Sequence, residues 1–186
     1  MLSTTDAIVL LLQPQSDKAH LLHAYTRTGG RINYRVYGLG RKNTSGKYTP
    51  LSLLQLTTDD RSVRTAQLTF VPQTIVSDPS KRAIALFISE VLYHVLRHPM
   101  VDEPLWDFIA DAIRALDRTD APQNFHLVFL TGFAAKLGFA LEQEPPLPKT
   151  RTERQQQLQQ LCAYFAEHVE TWQTPKSLDI LMEVFD

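Results

Sequence analysis

A chain of 186 residues with 44% hydrophobic and 21% charged residues has the make-up of a folded protein, large enough to bury a core in one large or two small domains. Its single cysteine, Cys162, excludes an internal disulfide and any multi-cysteine zinc site, and no apolar run approaches the roughly 18 residues of a membrane-crossing helix. The net charge of −1 divides unevenly: residues 1–77 hold nine Lys/Arg against four Asp/Glu, and residues 78–186 hold ten against sixteen. A basic half joined to an acidic half points to nucleic acid at one end and a protein partner at the other, or to compositional drift between two domains.

The N-terminal apolar patch has no basic start and no small-residue cleavage site, so it reads as a first strand, and a cytoplasmic location is expected. Residues 7–12 (AIVLLL) form that strand, closed by Gln13-Pro14-Gln15-Ser16-Asp17. Residues 21–26, 32–37, 51–57 and 66–71 follow as further strands, the last two joined by the polar turn Asp59-Asp60-Arg61-Ser62. Five short strands without helical periodicity predict a small closed barrel, of which the five-stranded kind is the OB-fold. The fold class expected is α+β: residues 1–78 an OB-fold nucleic-acid-binding domain, residues 79–186 an all-α helical bundle.

The stretch over residues 27–48 (RTGGRINYRVYGLGRKNTSGKY) carries Arg27, Arg31, Arg35, Arg41, Lys42 and Lys47 and no acid. Alternation along a strand places Ile32, Tyr34 and Val36 on one face and Arg31, Asn33, Arg35 and Tyr37 on the other. The open face would attract phosphate and stack a base, with Tyr48 as a further aromatic. The competing reading is a solvated edge strand kept soluble by its arginines.

The grammar changes at Ser77-Asp78-Pro79, where Asp78 can cap a helix and Pro79 can open it. A first amphipathic helix runs from there to Pro99, a second over 102–117 and a third over 122–137, with Gly138 as its C′ residue. The third is apolar nearly all round and belongs at the centre of a bundle. A proline-rich linker at 142–152 precedes a fourth helix over 153–172, and Pro175 opens a short last one.

Several residues invite other readings. Glu90, His94 and His98 stack on one helical face, but two histidines sharing a zinc need a third protein ligand and second-shell support, and the sequence supplies no obvious one, so no metal is expected. His126 reads as a hydrogen-bonded core histidine and Cys162 as a packing residue. Gly38-Leu39-Gly40 lacks the third glycine of a nucleotide fingerprint, no GxxxxGK[ST] segment occurs, and no serine has a nucleophile setting. No cofactor and no enzymatic activity are therefore expected.

Residues 124–139 (NFHLVFLTGFAAKLGF) resemble a signature of the RecO family of recombination mediators, in the form found among the Bacteroidetes. Residues 6–42, 81–97 (KRAIALFISEVLYHVLR) and 175–185 (PKSLDILMEVF) resemble further stretches of that family in the same order. The resemblance implies a non-enzymatic protein that binds single- and double-stranded DNA, anneals complementary strands and helps load recombinase. The partners it implies are the C-terminal tail of single-strand-binding protein, RecR and, indirectly, RecA, at the nucleoid and without a membrane. Such a tail is acidic and ends in an apolar residue, so its dock needs an apolar pocket beside a cation. Lys81, Arg82, Arg114 and Lys136 are the cations near the first three helices. The family continues after the stretch equivalent to Leu137-Gly138-Phe139 through a longer insert, often with four zinc-binding cysteines; here only the linker at 142–152 intervenes. The chain thus resembles an internally shortened member, and an adaptor with little DNA affinity is the alternative function.

Overall fold

The computed structural model describes residues 1–39 and 45–185. Five strands, β1 (Leu2–Ser16), β2 (Ala19–Thr26), β3 (Gly30–Tyr37), β4 (Leu53–Asp59) and β5 (Ser62–Leu68), close into a barrel in the order β1-β2-β3-β5-β4. This is the OB-fold barrel that the strand pattern predicts. Closure depends on β1, which is long enough to serve two neighbours. Its start pairs with β4 from Leu2↔Asp59 to Ile8↔Leu53, and its remainder pairs with β2 from Ala7↔Thr26 onward. A register shift between Val9 and Leu11 bends it between the two. Apolarity marks only the middle of β1, because Ala7 to Leu10 are buried while both ends are exposed.

β5 begins four residues before its expected start. Only Asp60 and Arg61 lie outside the ladder, since Asp59 already pairs with Ser62. Asp60 takes φ 54°, a left-handed conformation that aspartate tolerates better than most residues. Of β5 only Ala66 is buried, so no alternation announces the strand. The barrel interior is filled by Val9, Leu22, Tyr34, Val36, Leu54 and Leu56 among others.

Five α-helices follow: α1 (Pro79–Val95), α2 (Glu103–Arg118), α3 (Phe125–Lys136), α4 (Arg151–His168) and α5 (Leu178–Val184). Asp78 caps α1 through its Oδ1, which accepts from Ser80 N at 2.8 Å. α1 stops at Val95 rather than running to Pro99, because a helical proline at 99 would drive its ring into the carbonyl four residues back. α4 starts two residues before its expected start. Thr150 and Glu153 form a reciprocal capping box there, and Val169 ends the helix in extended backbone. α3 buries Leu127, Phe129, Leu130 and Phe133, while Val128 faces outward. Phe133 is wholly buried, its ring stacked 5.6 Å from Phe129 and 5.9 Å from Phe165.

The chain divides into two compact units, one of Met1–Pro72 with Leu96–Asp111, the other of Gln73–Val95 with the residues from Ala112 onward. The linear division into residues 1–78 and 79–186 stands as a proposal about independent folding; the compact units count 96–111 with the barrel.

Candidate nucleic-acid interface

β3 alternates as its sequence predicts: Tyr34 and Val36 are buried, and Asn33, Arg35 and Tyr37 are exposed. Tyr37 is 57% exposed, so its ring has an open face. The strand's pairing adds two cations that the linear pattern does not show. The Arg35 amide donates to the Arg61 carbonyl at 2.7 Å, and the Gly38 amide to the Lys18 carbonyl at 3.3 Å. Both Arg61 and Lys18 are exposed. Each comes from a turn that sequence alone reads as punctuation, and only the β3–β5 and β2–β3 pairings bring their main chain beside that of β3 at Arg35 and Gly38. Asp17 and Asp60 flank these two cations in sequence and moderate the local charge. Arg41 and Lys42, which follow β3 in sequence, lie outside the described residues.

Other cations of the basic stretch are engaged within the barrel's own unit. Arg27 Nε lies 3.5 Å from Glu103 Oε2, its Nη2 lies 3.2 Å from Asp107 Oδ1, and its guanidinium sits 5.2 Å from the Trp106 ring centroid. Arg31 donates through Nη1 to the Leu96 carbonyl at 3.2 Å, and its Nη2 lies 3.0 Å from His23 Nδ1. Burial, and then the Arg31 charge, hold the His23 imidazole below its usual pKa. Lys47 Nζ donates to the Ala66 carbonyl at 3.0 Å. Tyr48 is a correction: the 3₁₀ turn Ser45–Tyr48 turns its ring into the barrel core, where it is 5% exposed and cannot stack a base. Burial raises the pKa of its phenol.

In the second unit Lys81 is likewise a correction to the expected partner contact. It is buried, and its Nζ donates to Thr74 Oγ1 at 2.6 Å and to the Asp117 carbonyl at 2.9 Å. Arg82 and Lys136 are exposed on α1 and α3, and Arg114 is half-buried on α2. The helical stack of Glu90, His94 and His98 does not form, because α1 ends before His98. Glu90 Oε2 instead accepts from the Ser177 amide at 2.8 Å and from the Ser177 hydroxyl, at the start of α5. Burial pushes the Cys162 thiol up to about 11, in keeping with packing rather than reactivity.

An apolar pocket beside a cation does occur, away from the four expected residues. His126, Leu158, Leu181 and Phe185 line it together with Arg151 and Arg154 from the first turn of α4. Arg151 lies in the last residues of the predicted linker at 142–152 and Arg154 just beyond it. The signal for them was the capping box Thr150–Glu153, which makes them first-turn residues, where the helix dipole disfavours a cation. His126 is buried, but its Nδ1 has no hydrogen-bond partner, contrary to the expected bonded histidine. Its ring lies between Phe185, stacked at 6.1 Å, and Phe87, edge-on at 6.3 Å. Burial, and then the Arg154 charge, push its pKa down to about 3, so the ring is neutral.

The profile of the family described as "Recombination protein O C terminal" matches residues 76–144. The DNA repair protein RecO of Porphyromonas gingivalis is 33% identical over 150 residues, a match that takes in 74% of this chain and 61% of that protein. The proteins of the same name from Flavobacterium johnsoniae and Christiangramia forsetii are 28% and 25% identical, over 97% and 100% of this chain and 98% and 100% of their own length. Over its whole length the chain is similar to DNA repair proteins named RecO. It spans about six-tenths of the length of the first relatives it matches. The Christiangramia match extends over 239 positions and takes in the whole of both proteins, so at least 53 of them, 239 less 186, are gaps inside this chain. Relative to that protein this chain is therefore shortened internally, as its proline-rich linker suggests. No helix among the described residues is long and apolar enough to cross a membrane.

Proposed function

We propose that this chain is a DNA-binding recombination mediator in DNA repair. It binds single- and double-stranded DNA, anneals complementary strands and helps load recombinase on strands coated by single-strand-binding protein. It does so without enzymatic chemistry, in the cytoplasm at the nucleoid. The observation that carries this reading is the exposed pair Arg35 and Tyr37 on β3 of an OB-fold barrel, with Arg61 and Lys18 beside them and Arg41 and Lys42 next in sequence. Cations that release counterions from a phosphate backbone and a ring that accepts any base suit sequence-tolerant binding. Similarity to RecO proteins supports the pathway, and RecR and RecA are the partners that it brings.

We assign the tail of single-strand-binding protein to the pocket of Arg151, Arg154 and His126, whose apolar lining and cations suit an apolar side chain and a carboxylate. Fluorescence anisotropy with a labelled single-stranded oligonucleotide at two salt concentrations tests the DNA role. Binding that weakens as salt rises supports it. The adaptor reading draws on the engagement of Arg27, Arg31 and Lys47 inside the protein, which leaves fewer cations for phosphate. It gains if the oligonucleotide fails to bind at low salt while the tail peptide still does.

A further inference from the structure

We propose that Phe185 is a resident occupant of the α4–α5 pocket and that a partner peptide enters by displacing it. The inference rests on the docking role given to this pocket above, and the partner is an acidic peptide that presents an aromatic side chain beside a carboxylate. Phe185 lies just past the end of α5. Its ring is nearly parallel to the His126 imidazole, at 16° and 6.1 Å, and the Arg154 guanidinium sits 5.7 Å from its centroid. An aromatic ring between an imidazole and a guanidinium is the contact that a peptide aromatic would make there.

Three observations separate an occupant from a wall. First, α5 is only seven residues long, and Leu181 is its one buried residue. So short a helix has little stability apart from its packing, which is Leu181 together with the half-buried Leu178, Met182, Val184 and Phe185. Second, the pocket's cation is held without Phe185: Arg154 Nε donates to Asn124 Oδ1 at 3.0 Å. Third, Phe185 fills the aromatic slot but satisfies nothing polar. His126 Nδ1 stays buried without a partner, and among the described residues no carboxylate lies within ion-pair distance of Arg154. A peptide with both a ring and a carboxylate makes the contact Phe185 makes and adds a charge-assisted hydrogen bond that Phe185 cannot. That difference is what lets it compete with a group already tethered in place.

The test uses the full chain and a short aspartate-rich peptide ending in phenylalanine with a free carboxylate, titrated by anisotropy. Phe185→Ala is expected to bind it about tenfold tighter, the factor for a pocket that is open one-tenth of the time in the parent protein. Arg154→Gln is expected to abolish binding in both backgrounds. If the parent binds and Phe185→Ala binds equally or less well, Phe185 is part of the wall and the proposal is overturned. If neither binds, the docking role itself has failed, which is a separate result. Should Phe185→Ala prove unfolded by circular dichroism, the parent protein decides through the nuclear Overhauser contacts between the Phe185 and His126 rings, which are stacked in the free protein. Those contacts are expected to vanish at peptide saturation, and their persistence overturns displacement.

Discussion

The ammonium of Lys81 donates to the main-chain carbonyl of Asp117 at 2.9 Å, while the carboxylate of the same Asp117 collects the amides of Gln73, Thr74 and Ile75 at 3.0, 2.8 and 2.9 Å. Thr74 closes the circuit: its hydroxyl accepts from Lys81 and donates to the Asp117 carbonyl. One buried lysine and one buried aspartate thus fasten the turn at 73–75 to the end of α2. Burial pushes the Asp117 carboxyl up, but the amides and the Thr74 hydroxyl outweigh it and hold the pKa below the usual value.

Asp117→Ala should therefore cost about 2–4 kcal/mol at neutral pH, since it strands several amide donors at once. The depressed pKa fixes the pH dependence. The contribution is fully present above the unfolded value near 4 and is lost as pH falls through the lower folded value. Urea melts should show a gap between parent and variant at pH 7 that narrows below pH 4. A gap that does not change with pH would mean the carboxylate charge is not what the amides recognise.

Alternation in residues 32–37 and the 3–4 spacing along α1 and α2 made the barrel and the start of the bundle legible, because each of those elements buries one face, while α3 was legible from being apolar nearly all round. β5 was obscure because only Ala66 is buried, and the first turn of α4 because its anchor is a polar capping box rather than an apolar period. The candidate site was half legible. Arg35 and Tyr37 follow from the strand's period of two, but Lys18 and Arg61 reach them only through pairing across the barrel. Nothing in the order of residues indicated that Arg27 would meet Glu103 and Asp107, about 80 positions along the chain, or that Tyr48 would turn inward.

Gly30 shows how closely residues 96–111 approach the barrel within their common unit. It has φ +64°, and a Cβ there would stand 2.3 Å from the Met100 carbonyl oxygen and 2.6 Å from the Met100 nitrogen. Both obstacles are backbone, so neither can swing aside. Gly30→Ala should destabilise by about 2–4 kcal/mol through the left-handed conformation and the clash together. Thermal melts measure this, and a loss under about 1 kcal/mol would mean that the segment at Met100 shifts freely.

His126 gives stability a second pH dependence, of opposite chemistry to Asp117. Its folded pKa of about 3 lies below the unfolded value near 6.5, so between those limits the unfolded chain takes up a proton that the folded chain excludes. Stability is then full above about pH 6.5 and falls by roughly 1.4 kcal/mol for each pH unit below it, down to the folded pKa. His126→Phe keeps an aromatic ring between Phe87 and Phe185 and removes the titration. The variant's melts between pH 6.5 and 4 should be flatter than the parent's, and parallel curves would place the acid sensitivity elsewhere.

Arg35, Arg61, Lys18, Arg41 and Lys42 are the cations assigned to DNA once those engaged inside the barrel unit are set aside. Each neutralises about one phosphate, so the slope of log K against log salt on single strands should be roughly −3.5, from about −0.7 per contact. Recruiting Arg27, Arg31 and Lys47 as well would steepen it to roughly −5.5, which makes the slope a direct count of how many internal contacts open on binding. Tyr37→Ala should weaken binding by about 1–3 kcal/mol with little change in the melt, because its ring is exposed and available to stack. Tyr48→Ala should do the reverse, lowering the melting temperature while leaving the salt slope alone, because its ring lies in the core. Replacing Arg41 and Lys42 together should flatten the slope by about 1–2 and slow strand annealing. If instead Tyr37→Ala binds as well as the parent and the Arg41/Lys42 pair changes nothing, DNA lies on another face of the barrel. A slope near zero for the unmodified protein would remove the electrostatic mechanism itself.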